Sequence, residues 1–98
     1  LKLSELRPGM ENVELMVELI SIEEPRKVTT YSGLEHTLVE GLVKDGSGSM
    51  RLTVWNEKIE ELEGIEAGDT LKLVDCFVTS FKGELSVNVG RDSGIQRQ

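Results

Sequence analysis

Val13, Leu15, Val17 and Leu19 alternate with Glu14 and Glu18 along residues 12–22, a period of two that predicts a half-buried β-strand. Met16 and Ile20 make the opposite face partly apolar, as expected of a long, bent strand that helps to close a barrel. Pro25 lacks the N–H that a ladder requires and ends the strand. Residues 26–35, which include Lys27, Thr29, Thr30 and Tyr31, read as a solvent-exposed connection that turns at Ser32-Gly33. A second strand over 36–43 runs into Asp45-Gly46-Ser47-Gly48, where two glycines permit the positive φ of a tight hairpin. Residues 49–55 then alternate cleanly, with Met50, Leu52 and Val54 inward and Arg51, Thr53 and Trp55 outward.

Ile59, Leu62 and Ile65 recur at three-residue spacing inside a charged run, which predicts a short amphipathic helix capped by Asn56 and closed by Gly64. A fourth strand over 70–80 begins with Leu71 and Leu73 inward. Near Asp75 the apolar register passes to Val74, Cys76 and Val78, which is the signature of a bulge or sharp bend. Lys82-Gly83 makes a short turn, and Leu85, Val87 and Val89 form the inner face of a fifth strand, with Glu84, Ser86 and Asn88 outside. After Gly90 the periodicity ends. Five short antiparallel strands with a helix between the third and fourth is the layout of the all-β oligonucleotide/oligosaccharide-binding (OB) barrel. Closure also removes the unpaired edges that these strands would otherwise expose.

Ninety-eight residues suffice for one domain, taken as 1–98, and the missing initiator Met fits a piece cut from a longer chain. No apolar run approaches the 18 or so residues of a membrane span, and the first residues do not resemble a secretory signal. The single cysteine, Cys76, lies in an apolar stretch and is expected to be buried as a small hydrophobe. One Cys and one His cannot build a structural zinc site. A free thiol without bridges favours an intracellular, cytoplasmic protein. The net charge of -7 argues at first against nucleic acid. Its distribution changes that: residues 1–24 and 56–67 each carry -4, and the remainder carries +1. If those two segments lie away from a binding surface, the total says little about it.

No phosphate-loop, dinucleotide-binding or zinc-protease motif occurs, and His36, the only imidazole, opens a strand without a nucleophile beside it. The chain therefore reads as a binder without catalysis or cofactor. Trp55 is the first candidate contact, because its outward phase beside Arg51 and Thr53 makes a stacking platform with a phosphate partner. Phe81, next to Lys82 at a hairpin tip, is the second, and Phe77 lies on the same strand. Arg26, Lys27, Lys72 and Arg91 supply further positive charge on the loops and strands an OB barrel uses, and Tyr31 is placed to close over a bound strand.

Leu6-Arg7-Pro8-Gly9-Met10, Val43-Lys44-Asp45-Gly46-Ser47-Gly48, Leu52-Thr53-Val54-Trp55-Asn56, Gly68-Asp69, Phe81-Lys82-Gly83 and Gly90-Arg91, in this order and spacing, resemble the single-stranded DNA-binding OB domains of the archaeal and eukaryotic replication protein A-like family. The resemblance implies sequence-nonspecific binding of single-stranded DNA in replication, recombination or repair, with Trp55, Phe77 and Phe81 as stacking aromatics. A further aromatic common on the fifth strand is replaced by Asn88, which implies a weaker or shorter footprint. The zinc motif of some relatives is absent, so no cofactor is implied. Two alternatives stand beside this reading: an OB unit that contacts a protein partner or neighbouring OB domains, and an RNA-binding OB domain.

Overall fold

Val13, Leu15, Val17 and Leu19 are each no more than 2% exposed, so the alternation expected of the first strand is realised in β1 (Val13–Ile22). The computed structural model describes all 98 residues. The chain runs through β1, β2 (Arg26–Thr29), β3 (Glu35–Asp45), β4 (Gly48–Trp55), a 3-10 segment η2 (Asn56–Leu62), β5 (Thr70–Phe81), β6 (Glu84–Val89) and β7 (Gly94–Arg97), after a short 3-10 turn η1 (Leu3–Glu5). Hydrogen bonding follows the order β1-β3-β4-β6-β5, and β5 returns to β1, which closes a five-stranded barrel. Leucines and valines of all five strands fill its interior, together with Cys76.

The barrel is mixed, where the sequence pattern suggested an antiparallel one: β4 and β6 run parallel, pairing Arg51–Val54 with Ser86–Val89. The cause is topological. An odd number of strands arranged in a ring cannot alternate direction all the way round, so at least one neighbouring pair must be parallel.

Three local expectations are also corrected. Residues 26–35 are not a plain connection, since β2 pairs antiparallel with β3 before turning at Gly33, where φ is +81°. The tail past Gly90 forms β7, which pairs with β5 and sets Ile95 against Leu73. The helix is 3-10, and Asn56 does not cap it. Its φ is +49°, and its amide reaches back to β3, with Oδ1 accepting the Thr37 N–H.

The bulge expected near Asp75 is present. Val13 faces Cys76 but Leu15 faces Leu73, so β5 carries one extra residue there, and Asp75 adopts φ +52°. A second irregularity in β1, between Leu19 and Ser21, brings the chain against Gly41, where a Cβ would lie 2.7 Å from the Ser21 carbonyl.

The two 3-10 segments meet opposite ends of β4. At the β3–β4 turn, Asp45 accepts the N–H of Leu3 at 2.9 Å and the N–H of Ser47 at 2.7 Å, tying η1 to the hairpin while Leu3 and Leu6 enter the core. Partial burial would raise the Asp45 pKa, but these bonds, with the Ser47 hydroxyl, outweigh it and hold the carboxyl below its ordinary value. At the other end η2 packs Ile59 and Leu62 against the core, and Glu61 accepts the Ile95 N–H at 2.8 Å.

Candidate nucleic-acid interface

Side chains on β4, β6 and the second half of β5 that do not enter the core share one outer face. The register brings Arg51 beside Ser86, Thr53 beside Asn88, Phe77 beside Asn88, Thr79 beside Ser86 and Phe81 beside Glu84. Trp55 is the next outward residue of β4. The floor between the aromatics is polar and internally bonded. Thr53 and Ser86 hydroxyls meet at 2.8 Å, and Asn88 Nδ2 donates to the carbonyls of Phe77 and Ser86 and to Thr79 Oγ1. Asn88 Oδ1 accepts the Trp55 indole N–H at 3.0 Å.

Asn88 therefore points outward, as its phase requires, yet is only 2% exposed. Its amide is fully engaged beneath the face, where it fixes the edge of the Trp55 ring. An indole anchored through its N–H keeps a ring surface for stacking while losing little rotamer freedom on binding. His36 stands edge-on to that indole, with ring centroids 6.1 Å apart and planes at 89°. Asn56 Oδ1 accepts the Thr37 N–H, and its Nδ2 lies 3.1 Å from His36 Nδ1, so this amide links the imidazole to the start of η2. The sequence marked His36 only as a strand-opening residue, since nothing local reveals that β3 brings it beside Trp55.

Phe77 is half-buried and lies over Gly90, where a Cβ would come within 2.9 Å of its ring. Phe81 is 70% exposed at the β5–β6 hairpin, with the Lys82 ammonium 5.4 Å from its ring centroid. Tyr31 is fully exposed at the tip of the β2–β3 hairpin.

The cations divide into two groups. Arg26 pairs with Glu40, Arg51 pairs with both Glu40 and Glu84, and Lys27 lies 3.7 Å from Glu35. Lys72, Lys82 and Arg91 are outside this set of ion pairs. Lys82 belongs to the face through Phe81. Arg91 follows β6 and lines a cleft with Phe77. Lys72 is held elsewhere, on the wall where β5 pairs with Met16 of β1 and Gln96 of β7. The ion pairs escape a reading of the sequence because Glu40 and Glu84 reach the arginines only through strand pairing.

No group of three or more His, Cys, Asp or Glu side chains is arranged to hold a metal. Burial pushes the Cys76 thiol up to about 12, with Asp75 adding to the shift, so it stays protonated and unreactive within the core.

A family model described as single-stranded DNA binding protein Ssb-like, OB fold, matches residues 6–96. The single-stranded DNA binding protein Ssb of Saccharolobus solfataricus is 31% identical over 94 residues, which are 96% of this chain and 61% of that protein. Replication factor A of Methanothermobacter thermautotrophicus is 30% identical over 73 residues, which are 74% of this chain and 9% of that protein. This chain thus spans about three fifths of the first relative and a small part of the second. The solution structure of a replication factor A related protein from Methanobacterium thermoautotrophicum superposes with a TM-score of 0.83 at 26% identity, covering 99% of this chain and 88% of that one. With a closed five-stranded barrel, an aromatic outer face and a family match along nearly its whole length, the chain belongs to the Ssb-like, OB-fold family of single-stranded DNA binding proteins.

Proposed function

We propose that the chain binds single-stranded DNA, largely without regard to base sequence, by stacking bases on Trp55, Phe77 and Phe81 while Lys82, Arg51, Arg26 and Arg91 meet phosphates. The observation that carries this reading is the gathering of all three aromatics on one outer face over a polar floor that is already hydrogen-bonded within itself. Such a floor asks nothing of the bases, and stacking accepts any of them, which suits binding without sequence preference. On this reading Tyr31 and Lys27, on the β2–β3 hairpin, close over the strand from one side. Protection of single strands in replication, recombination or repair, at the nucleoid, is the role that fits.

The test is a titration of the sole tryptophan with oligo-dT. Quenching that weakens as salt is raised supports the reading. No response at low salt up to about millimolar DNA, where the binding free energy is only near -4 kcal/mol, overturns it.

A second reading, an OB unit that contacts a protein partner or a neighbouring OB domain in a replication protein A-like assembly, draws on one observation: Arg26, Arg51 and Lys27 are already paired with carboxylates. Oligo-U in the same titration separates an RNA ligand from DNA.

A further inference from the structure

Arg51 lies at the junction of an ion-pair chain that crosses four strands. Its Nη2 reaches Glu84 Oε2 at 2.8 Å, its Nε faces Glu40 Oε2 at 3.5 Å, and Glu40 also holds Arg26. The four side chains sum to zero charge, so in the free protein this part of the face offers phosphate no net attraction. The two carboxylates are not equivalent. Glu40 sits between two guanidinium groups with its side chain 16% exposed, whereas Glu84 has one arginine partner and is 67% exposed.

We propose that Glu84 is a displaceable stand-in for a nucleic-acid phosphate on Arg51, so that strand binding exchanges one oxyanion for another. This rests on the single-stranded DNA reading above and specifies how its central arginine is used. A carboxylate and a phosphodiester both present two oxygens to the planar fork of a guanidinium, so the exchange keeps Arg51 satisfied throughout. An exposed ion pair is weakly held and therefore cheap to break. Access is open as well. Arg51 and Glu84 together line a cleft of about 460 Å³ with Leu42, Met50 and Leu85, and Arg51 also lines a larger one of about 630 Å³ with Arg26 and Glu40.

Glu84 faces Phe81 across the β5–β6 hairpin, so the carboxylate leaves at the point where a base stacks. Glu40 stays in place between Arg26 and Arg51 and keeps the two guanidinium groups from repelling one another apart. The affinity of the face is thereby set by a competitor carried on the protein itself.

The experiment is a double-mutant cycle with oligo-dT at fixed low salt, read by Trp55 fluorescence, using the parent, Glu84→Gln, Arg51→Gln and the double variant. Glu84→Gln is expected to tighten binding about two- to fivefold, the range an exposed ion pair sets. In the Arg51→Gln background the same change should have little effect. Glu60→Gln, which makes the same charge change on η2, is the control and should leave affinity nearly as it was. Equal tightening with and without Arg51 means that Glu84 only repels the strand, and overturns the exchange while the DNA-binding reading stands. No tightening in the parent background overturns it likewise. A parent that binds no oligo-dT overturns both.

Discussion

Trp55 and Asn88 sit on neighbouring strands and constrain one another: the indole N–H satisfies the buried amide oxygen, and the amide fixes the ring. Trp55→Ala should weaken single-stranded DNA binding by about 1 to 3 kcal/mol, the range for one stacked base. Trp55→Phe, which keeps a ring but loses the donor, should fall between the two. Anisotropy of a labelled oligo-dT measures both, and a folded Trp55→Ala protein that binds like the parent would remove Trp55 from the site. Cys76 gives a residue-scale prediction about stability. Its thiol is raised from 9.0 to about 12 in the folded state, so it stays neutral where the unfolded chain ionises. Its contribution is fully present below pH 9 and is lost as pH rises toward 12, at up to about 1.4 kcal/mol per unit. Urea unfolding of the parent and of Cys76→Ala across that window should show the parent losing the more. Parallel curves would mean the thiol is not shielded.

At the scale of elements, the join between η2 and β7 depends on one carboxylate. Glu61 accepts the Ile95 N–H and takes the Lys58 ammonium at 3.0 Å. Glu61→Ala strands that N–H and should cost about 1 to 3 kcal/mol, whereas Glu61→Gln, which retains the acceptor oxygen, should cost less. Denaturant midpoints decide, and equal losses from both variants would assign the effect to the Lys58 pair. Elements with one face on the core were legible in the sequence because their apolar residues alternate, as in β1, β4 and β6. β2 and β7 were not. Both are four-residue edge strands, β2 buries no residue and β7 buries only Ile95, so neither has a period to read. Asn56 misled for another reason. Its residue type suits a cap, but it also tolerates a left-handed φ, and that is the property the β4–η2 corner uses. The outward phase of Trp55 was legible from β4 alone. The burial of Asn88 and the Glu84–Arg51 pair both depend on the parallel β4–β6 contact, which no local pattern announces.

For the molecule as a whole, the charge of -7 is concentrated in two segments, and one of them closes the end of the barrel that Trp55 adjoins. Glu60 and Glu63 there are exposed to solvent. At about 0.15 M salt the screening length is only about 8 Å, so they should act weakly on a strand lying along the face. A Glu60→Gln, Glu63→Gln double variant is expected to shift oligo-dT affinity far less than Lys82→Gln, whose ammonium lies over Phe81. A larger effect from the glutamates would mean that the acidic segment borders the DNA path. The parallel seam between β4 and β6 has a separate consequence. It joins stretches distant in sequence, held shut by hydrogen bonds, packing and the exposed Arg51–Glu84 ion pair. On the proposed binding mode, a strand stacked on Trp55 and Phe81 would lie across that seam and fasten it like a staple. An unfolded chain has no such site, so bound DNA should raise the melting temperature in proportion to the logarithm of its concentration. A protein that binds a single strand in the proposed way would in turn be held closed by it.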